Sequence, residues 1–446
     1  MGIADDMNSE NKKITKEDFK EYTYVMVSTL NQMVNYIPLK HFEFKEVYNI
    51  TTKVERDKDS KKIIKYFDNE KWDENLKKVL DDEPIKIEIE KNNFFDLILV
   101  QNRLKKEIET GVLKDKNIFW NITGGQRHIM MAISQLAKSD DIICYIEGNN
   151  NQMMIYEVAT NSVKPVEYSL NLKKNLTIDI ALRLMGLQFN SCNEEIGQDK
   201  ERKFYQEFYS KYIDNKKLRE WLIILNKNYP KIRDKEKKQS DENYQKYKNE
   251  YQTKKQKFNK LKEESKDKIK KFLSDLDKTM LETKLNRSQA FGYILEELTF
   301  YKIEELLKSQ IEKKKVKLVH SLKVKNEDIN NVTIAEFDIA LLTDSGKFIM
   351  FECKSGVMKG DVAKSRKYAT YAVSGVYGLP ILITPLIASE TTENEDGKLE
   401  SNITKDLDID IYKYIKEATS SAKRASLEVW GLDEIEDKLK KYIDLG

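Results

Sequence analysis

The sequence predicts an α/β protein of two globular halves joined by a charged, helical middle. In the first half, short apolar runs alternate with helical patterns, as in a parallel sheet covered on both faces. The middle, residues 191–285, loses that alternation and is dominated by Lys, Glu, Gln, Asn and Tyr. From residue 286 a helix, a hairpin, a second helix and a strand follow, with acidic residues set inside the apolar hairpin.

At 446 residues the chain can hold two or three domains with their own cores. Charged residues make up 34%, yet the net charge is only +3, so any nucleic-acid footprint must be a local patch. The three cysteines, Cys144, Cys192 and Cys353, show no C-x-x-C spacing. That excludes a disulfide framework or zinc knuckle and fits a cytoplasmic location. Residues 1–18 are polar and read as a disordered tail, not a signal peptide. The most apolar long run, 371–388, is interrupted by Ser374, two glycines, Pro380 and Pro385, so no membrane span is expected.

Residues 22–29 (Y-T-Y-V-M-V-S-T) predict a buried strand, followed by a loop, a short helix to residue 41 and a strand over 45–51. Residues 53–82 predict loop and helix, and 85–90 (I-K-I-E-I-E) an alternating strand. Asn92 or Asn93 can cap a helix running to residue 109, with Gly111 just past its end. A strand over 117–122 runs into T-G-G-Q-R-H. A helix over 129–138, strands over 141–146 and 152–158 and a helix over 177–187 complete a Rossmann-like domain, residues 19–190. Ligands of such sheets bind outside the carboxyl ends of the strands. Ser28, Thr29, Asn31 and Gln32 lie at one such end and Thr123, Gly124, Gly125, Gln126 and Arg127 at another. The glycines admit close backbone approach, the helix start behind them offers N–H groups to a phosphate, and Arg127 adds a cation. A plain Gly-Gly strand-to-helix turn explains the spacing equally well. Neither G-x-G-x-x-G nor G-K-S/T is present, so the implied anion is neither NAD nor ATP.

The stretches V-S-T-L-N-Q-M-V-N-Y-I-P-L-K-H-F, N-I-T-G-G-Q-R and L-T-I-D-I-A-L-R-L-M-G resemble the CARF domain, the CRISPR-associated Rossmann fold that senses cyclic oligoadenylate. The family pattern is a strand leading into Asn-x-Thr-Gly-Gly, usually with Thr-Lys after it. Gln126-Arg127 replace that pair here and keep the positive charge. The resemblance implies that Asn121 joins the ligand site and that the protein is a homodimer with one cyclic ligand across its two-fold axis. It also implies cyclic oligoadenylate as allosteric activator, cyclic tetra-adenylate being the form expected.

Over 231–271 bases outnumber acids roughly two to one, and Tyr244, Tyr247, Tyr251, Phe258 and Leu261 recur at helical spacing. This reads as a helical arm linking the halves. Next, residues 288–307 predict a helix with Phe291, Ile294, Leu295 and Leu298 on one face and Gly292 and Glu296 one turn apart on another. A strand over 317–325 precedes the hairpin, whose strands, 337–342 and 348–354, flank a Thr-Asp-Ser-Gly-Lys turn. If Leu342 pairs with Phe348, Asp338 lies opposite Glu352 with Cβ atoms roughly 5 Å apart. Two facing carboxylates are destabilising unless a divalent cation sits between them, and Lys354 is one step away. A surface hairpin with a Glu–Lys pair is the plainer alternative, but F-I-M-F-E-C-K is too apolar for an ordinary edge.

A helix bearing Lys364, Arg366, Lys367 and Tyr371 and a strand over 379–384 complete an order that resembles the restriction-endonuclease-like PD-(D/E)xK core, here residues 286–446. The resemblance implies catalytic Glu296, Asp338, Glu352 and Lys354. It places Mg²⁺ or Mn²⁺ on Glu296, Asp338, Glu352 and the backbone carbonyl of Cys353. The family's proline before Asp338 is missing. Its CRISPR-associated G-x-W-L-E reads G-Y-I-L-E-E, which leaves Glu296 and Glu297 both in play, with Gly292 favouring Glu296. His41 and His320 read as structural and His128 has no assigned role. The function expected is a cyclic-oligoadenylate-activated, metal-dependent endonuclease cutting DNA and/or RNA in type III CRISPR antiviral defence. The competing readings are a ligand-controlled nucleic-acid-binding regulator with an inert nuclease core, and a sensor domain that cleaves its own ligand.

Overall fold

Strands without a polar face set the order of the first sheet. In the computed structural model, β1 (Thr23–Val27), β2 (Glu46–Thr52), β3 (Ile85–Ile89), β4 (Ile118–Asn121) and β5 (Ile142–Glu147) run parallel. β6 (Gln152–Glu157) and β7 (Ser162–Glu167) add antiparallel edges, giving the order β3-β2-β1-β4-β5-β6-β7. Every residue of β1 is buried: Tyr24 and Met26 enter one core, Val25 and Val27 the other. The strand order reverses between β1 and β4, so their carboxyl ends form the topological switch point. The structure describes residues 14–53, 69–148, 151–193, 199–225, 241–326, 333–356, 358–388 and 411–443. Residues 1–13 of the expected tail and 54–68 of the expected loop lie outside these; Phe19, in the last expected stretch before β1, is buried.

One local expectation is corrected, and one strand was not anticipated. The helix expected from Asn92 or Asn93 starts at Leu97, because Asp96 Oδ1 accepts from the N–H groups of Ile98 and Leu99 at 2.8 and 3.0 Å. Lys91–Phe94 forms a separate short turn of helix before it. The strand β7 escapes sequence patterning because it is an edge whose residues are mostly exposed, a place where Pro165 is tolerated.

The second sheet contains β8 (Leu187–Asn193), β9 (Val316–Asn326), β10 (Thr333–Thr343), β11 (Phe348–Cys353), β12 (Leu379–Thr384) and β13 (Glu428–Gly431), in the order β13-β12-β11-β10-β9-β8. β8 to β11 pair antiparallel, and β11, β12 and β13 parallel. The segment read as a linking arm is largely part of the second half. β8 is an edge strand of this sheet, and Asp199–Asp214 and Lys216–Ile224 are helices that bury Phe204, Tyr205, Phe208, Tyr212, Leu218 and Leu222 in one core with the Ala290–Leu306 helix. The Lys-rich stretch is a helix, Asp241–Phe272, with Phe258 and Ile269 buried.

Alternation along β10 and β11 divides their side chains between two cores. Ile339, Leu341, Ile349 and Phe351 face the helical core. Ala340, Leu342, Phe348 and Met350 join Tyr24, Met26 and Phe119 of the first half in a single apolar cluster. The halves therefore share a core instead of meeting at a thin polar seam. No helix among the described residues is long and apolar enough to cross a membrane.

Candidate functional site

The hairpin turn fixes the register that brings the acidic residues together. Gly346 adopts φ +84°, and the N–H of Thr343 bonds to the carbonyl of Lys347 at 3.0 Å across the turn. Pairing runs from Leu342–Phe348 to Ile339–Phe351. One step further, Asp338 Oδ2 accepts from the backbone N–H of Cys353 at 2.7 Å. By alternation from Phe348 and Met350, Glu352 lies on the sheet face that looks toward the first half, whereas Asp338 sits where the alternation of β10 breaks, Phe337 joining the same core as Ala340 and Leu342. Cys353 points into the opposite, helical core.

Glu352 is buried, 4% exposed. Its Oε1 meets Lys354 Nζ at 2.5 Å and Arg366 Nε at 3.2 Å, while its Oε2 is buried with no hydrogen-bond partner among the described residues. Arg366 lies on the Gly360–Ser374 helix and also donates from Nη1 to the carbonyl of Glu336 at 2.6 Å. Burial and the charge of Glu352 push the Asp338 carboxyl up to about 7, against the pull of Lys354, the Cys353 N–H and Arg366. Burial and Asp338 push Glu296 up to about 8. Burial works to discharge Lys354, but Glu352 and Asp338 outweigh it and hold its ammonium above the usual range.

The adjacent glutamates of the Ala290–Leu306 helix part ways. Glu297 accepts from Lys284 Nζ and Arg287 Nη1, each at 3.0 Å, and from the Tyr205 hydroxyl. Glu296 turns instead toward His320, 3.8 Å away, and into the field of Asp338, Lys354 and Glu352. A Cβ on Gly292 would stand 3.5 Å from Ser355 Oγ, so this helix lies close against the loop that follows Lys354. His320, read as structural from sequence, is thus beside the site; burial lowers its pKa, and its ring lies edge-on to Phe300. Only the pairing of β9 with β10 brings it there, and no spacing in the sequence signals that.

The donor set suits a hard cation: all oxygen, with one orphaned carboxylate oxygen on Glu352. Among the described residues no three His, Cys, Asp or Glu side chains are gathered tightly enough to hold an ion alone. An ion such as Mg²⁺, which commonly takes one or two carboxylates and completes its shell with water and phosphate, would be compatible with Asp338 and Glu352.

At the switch point the two expected ligand loops touch. A Cβ on Gly124 would fall 2.8 Å from Thr29 Cγ2, and Gly125, at φ +89°, packs its backbone on Val27. Several of the expected ligand residues are engaged by the protein itself and shape the loops, Thr123 Oγ1 accepting from the Ile146 N–H and Asn31 Oδ1 from the Met33 N–H among them. Asn121 is fully buried, donating to the Tyr24 hydroxyl, the Val34 carbonyl and Asn35 while accepting from Thr123. Gln32 donates to the Trp72 carbonyl at 3.0 Å. Ser28 donates to Asp73 at 2.6 Å. Thr29, Asn31, Thr123, Gly125 and Gln126 are half-buried, Gly124 is buried and Arg127 is exposed. Sequence reasoning missed Asp73, whose carboxylate also accepts from Asn49 at 2.7 Å and Thr51 at 2.8 Å. The signal available was three polar residues at strand ends, Ser28, Asn49 and Thr51, that need a common acceptor.

Fold and site together describe a two-part α/β protein: a Rossmann-like domain with its loops at the switch point, then a second α/β core with carboxylates on its central strands. Two solved structures share that architecture almost end to end. Can2 from Sulfobacillus thermosulfidooxidans, solved in complex with cyclic tetra-adenylate, is 13% identical with a TM-score of 0.56, covering 95% of this chain and 99% of that one. Protein VC1899 from Vibrio cholerae is 14% identical with a TM-score of 0.60, covering 95% and 98%. At such identities the likeness is one of fold. No family model and no curated protein matches the chain.

Proposed function

We propose that this protein is a metal-dependent nuclease of the restriction-endonuclease-like PD-(D/E)xK kind, switched by a cyclic oligoadenylate bound at the first sheet of a homodimer and serving type III CRISPR defence. The observation that carries the nuclease half is the buried Glu352 paired with Lys354 beside Asp338, with Glu296 in their electrostatic field and Glu352 Oε2 without a hydrogen-bond partner among the described residues. The sensor half is supported by the paired loops at the switch point and by the fold shared with Can2, which was solved with cyclic tetra-adenylate.

Asp338, Glu352 and the backbone carbonyl of Cys353 would hold Mg²⁺ or Mn²⁺, with Glu296 as the further carboxylate. Such an ion supplies a polarised phosphate and a more acidic water. Lys354, kept charged by Glu352 and Asp338, orients the attacking water and offsets charge developing on the phosphate. Asp338 is held in place by the Cys353 N–H, and Glu352 by Lys354 and Arg366. Burial by the surrounding sheet and helix keeps bulk water from screening these charges.

A test is cleavage of supercoiled plasmid, single-stranded DNA and single-stranded RNA with Mn²⁺, with and without cyclic tetra-adenylate. Cutting that rises with the ligand and disappears in Glu352→Ala is the expected result. Equal rates with and without ligand would remove the switch, and full activity in the variant would remove the site. One observation favours a second reading, a ligand-controlled nucleic-acid-binding regulator: no three side-chain ligands are gathered closely enough for an ion among the described residues. Metal-independent binding without product on every substrate would select it.

A further inference from the structure

Beyond the shared apolar core, three close contacts of the first half fall on or next to elements that carry the carboxylate site. Gly375 ends the Gly360–Ser374 helix at φ +61°, and a Cβ there would collide with Nδ2 of Asn31 in the β1 loop. That Nδ2 is buried with no hydrogen-bond partner among the described residues. Two residues on, the Tyr377 ring occupies the space where a side chain on Gly148, just past β5, would be. The third point is Gly346 in the hairpin turn, where a Cβ would stand 3.2 Å from Met33 Sδ, at the start of the helix that follows the β1 loop.

These contacts leave no slack. The Gly360–Ser374 helix is a continuous rod, and its Arg366 lies nine residues before Gly375, about 13 Å along the axis. Arg366 Nε meets Glu352 Oε1 at 3.2 Å while its Nη1 is tied to the carbonyl of Glu336 on β10. A shift of the β1 loop therefore moves the helix end, the helix carries Arg366, and Arg366 moves Glu352 relative to Asp338. Close-packed contacts transmit such shifts as a switch between packings, not as a soft deformation.

We infer that the Gly360–Ser374 helix is the transmission element between the two halves, seated on the first half by Asn31 and by Tyr377 against Gly148, and that Arg366 is the positioning residue through which it sets Glu352. This rests on the proposed ligand-switched nuclease and names how its site is regulated. Tyr377 and Gly148 touch neither the switch-point loops' free surface nor the carboxylates, so altering them separates coupling from binding and from chemistry.

The test uses the full-length protein, with cyclic tetra-adenylate as the ligand probe and Mn²⁺ as the metal probe. Three readouts are taken on wild type, Tyr377→Ala and Arg366→Gln: ligand Kd by calorimetry, Mn²⁺ Kd by electron paramagnetic resonance with and without ligand, and cleavage rate with and without ligand. In wild type, linkage requires the ligand to change Mn²⁺ affinity, by roughly five- to 150-fold for ordinary coupling energies. Tyr377→Ala is expected to bind ligand as wild type does and to keep the basal cleavage rate, while both ligand effects shrink to within about twofold of none. Arg366→Gln should also keep ligand Kd yet lose the ligand effect on Mn²⁺ affinity. Gly148→Ala, which thrusts a methyl into the ring, should lower the melting temperature and uncouple, and adding Tyr377→Ala to it should restore the melting temperature without restoring coupling. A wild-type ligand effect retained in folded Tyr377→Ala and in Arg366→Gln overturns the helix assignment alone. A wild type that binds no cyclic tetra-adenylate, or binds it without changing either readout, overturns the switched-nuclease reading and this inference with it.

Discussion

Asp338 Oδ2 accepts a 2.7 Å hydrogen bond from the backbone N–H of Cys353, one step beyond the last pair of the hairpin ladder, Ile339 with Phe351. The acid of one strand is thereby fixed to the neighbour of Glu352 on the other. Register, burial and charge converge at this contact, and each can be perturbed separately.

Asp338→Asn tests charge apart from shape. An amide oxygen can still accept from Cys353, so the fold is kept while a buried negative charge is removed. Cleavage is expected to fall by roughly 100-fold or more, the scale for removing a charge-stabilising group from an active site. The melting temperature without metal should hold or rise, because repulsion with Glu352 is relieved. A variant cutting at the wild-type rate would take Asp338 out of the site.

The stability of the metal-free protein should fall as pH rises. Glu296 and Asp338 have folded pKa values near 8 and 7, above ordinary unfolded carboxyls near 4. Between those limits the folded state holds more protons than the unfolded one, so stability decreases with increasing pH. The contribution is complete below about pH 4 and is lost through pH 7 to 8. Thermal scans from pH 5 to 8 should show the decline, and Glu296→Gln with Asp338→Asn should flatten it. Adding Mg²⁺, which binds the deprotonated acids, should restore stability most at the alkaline end. A pH-independent melting temperature in wild type contradicts the raised values.

Glu296 and Glu297 predict opposite phenotypes although they are neighbours. Glu297→Ala leaves Lys284, whose side chain is 6% exposed, with Glu201 at 3.4 Å as its one remaining carboxylate among the described residues, and removes the carboxylate that Arg287 meets at 3.0 Å. A loss of about 3 kcal/mol of stability is expected, as for breaking a buried ion pair. Glu296→Ala should cost little or no stability and reduce cleavage at least tenfold. Denaturant unfolding beside cleavage assays separates them, and reversed phenotypes would reassign the helix carboxylate to Glu297.

Asp73→Ala removes the acceptor for Ser28, Asn49 and Thr51 together. Each buried donor left unpaired costs roughly 1–3 kcal/mol, so the β1 loop should loosen. Calorimetry should show loss of cyclic tetra-adenylate binding, whereas Arg127→Ala should weaken binding in a salt-dependent way without loss of stability. Unchanged ligand affinity in folded Asp73→Ala would detach this network from the ligand loops.

Much of this architecture was legible because period and turn chemistry are local. The buried β1 run, the Gly124-Gly125 turn and the hairpin pairing of Leu342 with Phe348 could each be read from adjacent residues. What was not legible is long-range. The Asp199–Asp214 helix was grouped with the charged linker because its aromatics are spaced among lysines and glutamates, yet Phe204, Tyr205 and Phe208 are core. His320 reaches Glu296 only through pairing of β9 with β10, and Arg366 reaches Glu352 only through the packing of its helix. Their place at a strand end put Ser28 and Gln32 at a ligand, and the family resemblance put Asn121 there; their partners add that all three brace the loops.

Direct measurement of Mn²⁺ binding by electron paramagnetic resonance at pH 8 tests the central claim most closely. Wild-type protein should bind the ion at a site that is lost in Glu352→Gln and in Asp338→Asn, with both variants folded. No bound Mn²⁺ in wild type, or binding equal to wild type in both variants, would contradict it.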